Sequence, residues 1–201
     1  MYVFKLVKIV DMKTVDEILK IKATVLYILK NFPDGVDYIK LFKIMYFAQQ
    51  EHLVKYGKPI FNDSFYALRL GPVPSFSYKH LQKIENGHFD VYEDVKTFMN
   101  AFNVNENTQL IFNKEEPDMD ELAVADVKSL DNVIKKYGNI DSIELSELSH
   151  DEAWKKASKR AVKNPEDNKI FIIDIAKAGG ADKNMIEYIR EIQYIKMALA
   201  S

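Results

Sequence analysis

Cysteine is absent from these 201 residues. That excludes disulfide staples, zinc ribbons and thiolate chemistry, and it agrees with a reducing compartment. Charge of one sign is missing as well: 28 Lys and Arg stand against 30 Asp and Glu, a formal net charge of −2. No whole-protein field therefore draws the chain onto nucleic acid or anionic lipid. No apolar run approaches the ~18 residues of a membrane span. The opening Met1–Val10 is apolar, but lysines interrupt it and no small-residue cleavage site follows. It reads as an N-terminal arm or strand over residues 1–12, and cytoplasmic is the simplest localisation.

Chemistry is scarce too. The four histidines, His52, His80, His88 and His150, lack the close spacing of a metal site. Acidic pairs such as Glu115–Glu116 and Asp118–Asp120 precede an apolar run and read as helix-start charges. No nucleophile elbow, phosphate loop or dinucleotide fingerprint occurs, and Gly179–Gly180 reads as a helix stop. No catalytic residue, metal or cofactor is assigned, and the chain reads as non-enzymatic.

What the sequence has is apolar content, 47%, arranged mostly at helical spacing. This predicts one mainly α domain over 13–201 with a small antiparallel β-ribbon, an α+β class. Thr14 with Glu17 is a capping box that starts a helix running to Pro33. From Asp37, a helix through Leu41, Phe42, Met45, Tyr46 and Leu53 is apolar on more than half its circumference and belongs at the centre; Gly57 stops it. Ser64–Leu70 reads as a strand ended by a rigid turn at Gly71–Pro74. A helix follows to Gly87, and Thr108–Phe112 reads as a second strand that pairs with the first. Residues 88–107 show no period. Further helices are expected from Asp118, around Ile143–Leu148, from Ser149, over Ile170–Ile175 and from Asp182.

Function candidates follow from exposure and charge. Tyrosine and phenylalanine are plentiful, at 11 and 12, and aromatics serve interfaces as well as cores. Lys40, Lys43 and Arg69 would meet phosphates if the two strands formed a wing beside a recognition helix. The alternative is a solvated face. The small apolar tail Met197–Ser201 reads either as a degradation signal or as a frayed helix end.

Several separated motifs resemble one family. Lys40, Lys43, Tyr46, Ala48 and Gln49 lie on the central helix; Gly57, Pro59 and Phe61 follow. Then come Phe65 and Ala67, Gly71-Pro72-Val73, and a later element with Leu145, Leu148, Ser149, His150 and Trp154. In order and spacing these resemble the Panacea domain of SocA-like antitoxins, from about Val15 to Trp154. Leu70 departs from the pattern, standing where an aromatic often precedes the Gly-Pro-Val.

The resemblance implies an antitoxin, often carried by phages or mobile elements, that neutralises a toxin encoded by a neighbouring gene through direct protein binding. Some relatives also hand the toxin to a cytoplasmic protease as adaptors. The second function considered is a nucleic-acid-binding regulator of its own operon or of phage genes. The partner-binding candidates are Lys43, Tyr46, Arg69, Gly71, Pro72, Val73, His150 and Trp154. For most of them two roles stand open: a fixed turn, buried aromatic, cap and core indole, or the lining of a groove where a toxin segment docks.

Overall fold

The computed structural model describes residues 13–88 and 90–199, so the expected arm over residues 1–12 lies outside the described residues. Helix α1, Val15–Lys30, starts at the expected capping box, with Thr14 and Glu17 satisfying each other's backbone donors. It buries Ile18, Ile21, Val25, Ile28 and Leu29 on one side. A two-residue strand β1, Val36–Asp37, leads into α2, Tyr38–Tyr56, capped by the Asp37 carboxylate on the Lys40 N–H. Every residue from Leu41 to Gln49 is buried, as an apolar circumference requires. Gly57 ends the helix at φ 66°.

The sheets differ from the expectation. Strand β2, Phe65–Leu68, pairs with β3, Gly71–Pro74, the segment that reads as a turn in the sequence. The strand expected at Thr108–Phe112 is β5, Leu110–Asn113, and it joins a separate sheet. There it lies between β1 and β4, Phe102–Val104, both antiparallel to it. The segment without a period thus holds α4, Glu93–Asn100, and β4. Between β3 and α4 runs α3, Ser75–Glu85.

The second half is helical. Asp118 caps a 3-10 turn, Met119–Glu121, and α5, Val124–Tyr137, begins only after it. Helix α6 is Ser142–Leu148. Helix α7, Glu152–Lys163, is capped by Asp151 and not by Ser149, whose hydroxyl donates to the Ser146 carbonyl at 2.7 Å. The ambiguous apolar segment is α8, Ile172–Ala178, and α9, Lys183–Leu199, starts where the Asp182 carboxylate accepts from the Met185 N–H. Among the described residues no helix is long and apolar enough to cross a membrane, and no cluster of His, Asp and Glu could hold a metal ion.

Packing centres on α2, which touches α5, α8, α6 and β3. His52 faces α5, with Nε2 3.0 Å from Asp126 Oδ1, and Lys20 of α1 reaches the other oxygen of the same carboxylate. Gln49 clamps the following segment, donating to the Phe61 carbonyl at 3.1 Å and accepting from the Ile60 N–H at 2.9 Å.

Helix α3 begins at Pro74, which offers no side-chain cap. Asp63, 5% exposed, takes that role from a distance. Its carboxylate accepts from the N–H groups of Phe76 and Ser77, both at 2.9 Å, and from the Ser77 hydroxyl. Burial raises its pKa, and those same bonds oppose the shift. Asp63→Ala leaves these buried donors unpaired and is expected to cost about 2 kcal/mol or more by urea denaturation.

Candidate functional site

The β2–β3 hairpin carries an unusual edge. Proline has no N–H, so Pro72 and Pro74 can occupy only the positions of an antiparallel ladder whose N–H groups point away from the partner strand. The register agrees: Ala67 opposes Pro72 and Phe65 opposes Pro74, alternating with the pairs Tyr66–Val73 and Leu68–Gly71. On the β2 side the outward groups continue the sheet, for the Ala67 N–H donates to the Asn168 carbonyl and the Phe65 carbonyl accepts from the Ile170 N–H, both at 2.8 Å. On the β3 side the prolines forbid a third strand. The inward Pro72 carbonyl needs another donor, since a buried orphan carbonyl is costly.

Lys43 supplies it. Its ammonium donates to the Pro72 oxygen at 3.0 Å from the buried face of α2, and the side chain is buried, with 1% of the residue exposed. Other carbonyls around the hairpin turn are met in the same way. The Trp154 indole donates to the Leu68 oxygen at 2.9 Å and the Ser146 hydroxyl to the Leu70 oxygen at 3.0 Å. His150 lies against the Arg69 backbone and stacks on Trp154 with ring centroids 3.9 Å apart. Burial first, and the Lys43 charge second, push the His150 pKa down.

Gly71 is where these elements meet. Arg69 and Leu70 avoid positive φ, and Gly71 takes φ +99°, a backbone conformation that favours glycine. A Cβ at Gly71 would lie 2.7 Å from Lys43 Cε and closer still to the Ser149 hydroxyl. Asp151 then ties the α7 start to α2. One of its oxygens accepts from the Ala153 and Trp154 N–H groups, both at 3.0 Å, and the other from the Tyr46 hydroxyl at 2.8 Å and the Gln50 amide at 2.9 Å. Burial, reinforced by that carboxylate, raises the Tyr46 pKa.

The candidates read from sequence therefore converge on one hairpin, but not with one exposure. Lys43, Tyr46, Gly71, Pro72 and Val73 are buried, His150 and Trp154 are half-buried, and Arg69 is exposed. Lys40 lies apart from Lys43, donating to the Gly138 carbonyl at 3.2 Å. Sequence reasoning missed Ser146, Asp151 and Gln50. Asp151 was findable as a second capping residue two positions after Ser149; nothing local singled out the other two. A family model for the antitoxin SocA-like Panacea domain matches residues 41–155. The chain belongs to this family. Comparison with curated proteins and with solved structures gives no match. The Panacea match begins in α2 and ends in the first turn of α7, so it spans Lys43, Ser146 and Trp154, whose side chains donate to the hairpin carbonyls.

Two tests address this Panacea junction. Burial lowers the Lys43 pKa from its ordinary 10.5 to about 7, against a smaller upward pull from Asp37. Between those values the unfolded chain holds a proton that the folded chain lacks, so this group makes stability rise with pH across that window. Relative to Lys43→Met, the native protein should gain about 2 kcal/mol between about pH 7.5 and 9.5, measured by urea denaturation at each pH. Gly71→Ala imposes both the positive φ and the overlap, and is expected to cost about 3 kcal/mol or more in the same assay.

Proposed function

We propose that this chain is an antitoxin that neutralises the toxin encoded by a neighbouring gene through direct protein binding, without catalysis. Membership of the SocA-like Panacea family carries the reading. The side-chain chemistry supports it: Lys43, Ser146 and Trp154 are engaged on backbone carbonyls, and Tyr46 and Gln50 on the Asp151 carboxylate. Groups held this way position a backbone and leave little for a substrate.

The toxin-facing surface proposed here is the hairpin tip with α6 beside it. Arg69 and Leu70 project at the tip, Leu70 44% exposed, and α6 contributes Ile143 and Leu148 at 55% and 48%. The Ser146–Leu70 hydrogen bond fixes the two elements together. Apolar side chains held on a rigid base are what a protein partner buries first. The buried candidates then shape the tip, while Arg69, with the exposed edges of His150 and Trp154, borders it.

Co-expression with the neighbouring gene's product in a bacterium tests the proposal, scored by growth and by co-purification. Rescue with a stable complex is expected. Leu70→Asp combined with Leu148→Asp should weaken the complex about 30-fold or more while leaving the melting temperature in place. A toxic neighbour that is neither rescued nor bound would sink the direct-binding reading. Undiminished rescue by the double variant would move the contact surface elsewhere.

A further inference from the structure

The outward face of α7 carries charge that the rest of the protein leaves uncompensated. Over Glu152–Lys163 there are five cations, Lys155, Lys156, Lys159, Arg160 and Lys163, against the single acid Glu152, in a chain of net charge −2. Lys155, Lys159 and Lys163 recur every fourth residue and so form one row, with successive charges about 6 Å apart along the axis. All three are exposed, while Ala153 and Ala157 on the opposite side are buried.

Carboxylates hold only part of this set. Glu152 lies 2.8 Å from Lys155, and Asp174 of α8 lies 2.6 Å from Lys156. Arg160 is occupied by Asp167 at 3.3 Å and by the Lys169 carbonyl, and it sits over the Phe171 ring. Among the described residues Lys159 and Lys163 have no carboxylate within ion-pair distance. The same holds for Lys177 on the adjoining α8.

We propose that this face binds the phosphodiester backbone of nucleic acid. A protein partner is the weaker fit, because lysine is depleted from protein–protein interfaces and this face offers only Val162 as an apolar centre. Nucleic-acid interfaces are polar and strongly positive, and an evenly repeated row of ammonium groups suits an evenly repeated charge. Recognition of this kind reads no sequence, is weak and depends steeply on salt. It uses none of Lys40, Lys43 or Arg69. Lys159 and Lys163 also lie beyond the matched residues 41–155, so the proposal concerns this chain and does not depend on its antitoxin role.

Fluorescence anisotropy of the full chain with a labelled DNA duplex, and with its separated strands, provides the test. The expected Kd is about 10 µM at low salt, with a log–log salt slope of about −2 to −3. Lys159→Glu with Lys163→Glu should weaken binding at least tenfold and flatten that slope by about two, leaving melting temperature and toxin rescue unchanged. The same change of charge on α5, Lys128→Glu with Lys135→Glu, should weaken it less than threefold. If the glutamate pair fails to fold, Lys159→Gln with Lys163→Gln is read in its place. Preference for duplex or single strand identifies the form bound, and either supports the proposal. No binding at low salt, or equal loss in the α5 variant, overturns it. So does loss of toxin rescue with nucleic-acid affinity intact, which would assign the face to an acidic protein.

Discussion

One carbonyl, that of Pro72, organises the centre of this protein. It points into the core from a strand edge that proline closes to any further strand. Its only route to a partner is a donor from another element, and Lys43 provides that donor on a stem long enough to cross from α2. Several other features then become obligatory. Gly71 must lack a Cβ so that Lys43 Cε and the Ser149 hydroxyl can approach. The α6–α7 junction must close over the turn, where Ser146 and Trp154 meet the Leu70 and Leu68 carbonyls. Asp151 must hold that junction against Tyr46 and Gln50.

This arrangement separates two roles that the motif residues share in the sequence. Lys43, Tyr46, Gly71 and Pro72 build the interior, and Arg69 and Leu70 are what the interior presents. A buried ammonium is an expensive way to satisfy one carbonyl, since desolvation outweighs the pull of Asp37 and draws its pKa down to about 7. An apolar core with an ordinary third strand would avoid that cost but would cover the edge on which α2 lies. The lysine keeps hairpin and helix in direct contact.

Local signals in the sequence were reliable where the physics is local. Thr14 with Glu17, Asp37, Gly57 and Asp182 mark helix ends through bonds within four residues, and each is found in place. The hairpin was misread because Gly71–Pro74 contains two prolines and so looks like a turn; its strand character depends on which face of the ladder each proline occupies, which only pairing decides. Residues 88–107 hold elements too short to show a period. Ser149 and Asp151 both suit a helix start, and the choice falls to Asp151 because Tyr46 and Gln50 wait for its second oxygen. The convergence of Lys43, Gly71, His150 and Trp154 was visible only through family resemblance, since Lys43 and Gly71 are far in the chain from the α6–α7 junction that they meet.

The two-residue tip has a further meaning. Because the Leu68 and Leu70 carbonyls on either side of Arg69 are held by Trp154 and Ser146, the geometry of the turn depends little on which side chains stand at Arg69 and Leu70. Such a place tolerates replacement in the way an antibody loop does, with a constant frame below and free chemistry above. With the tip as the proposed toxin-facing surface, a lineage confronted with a changed toxin could alter its recognition there by single codon changes, without passing through unfolded intermediates. A designer could use the same tip to display short foreign sequences on a cysteine-free scaffold.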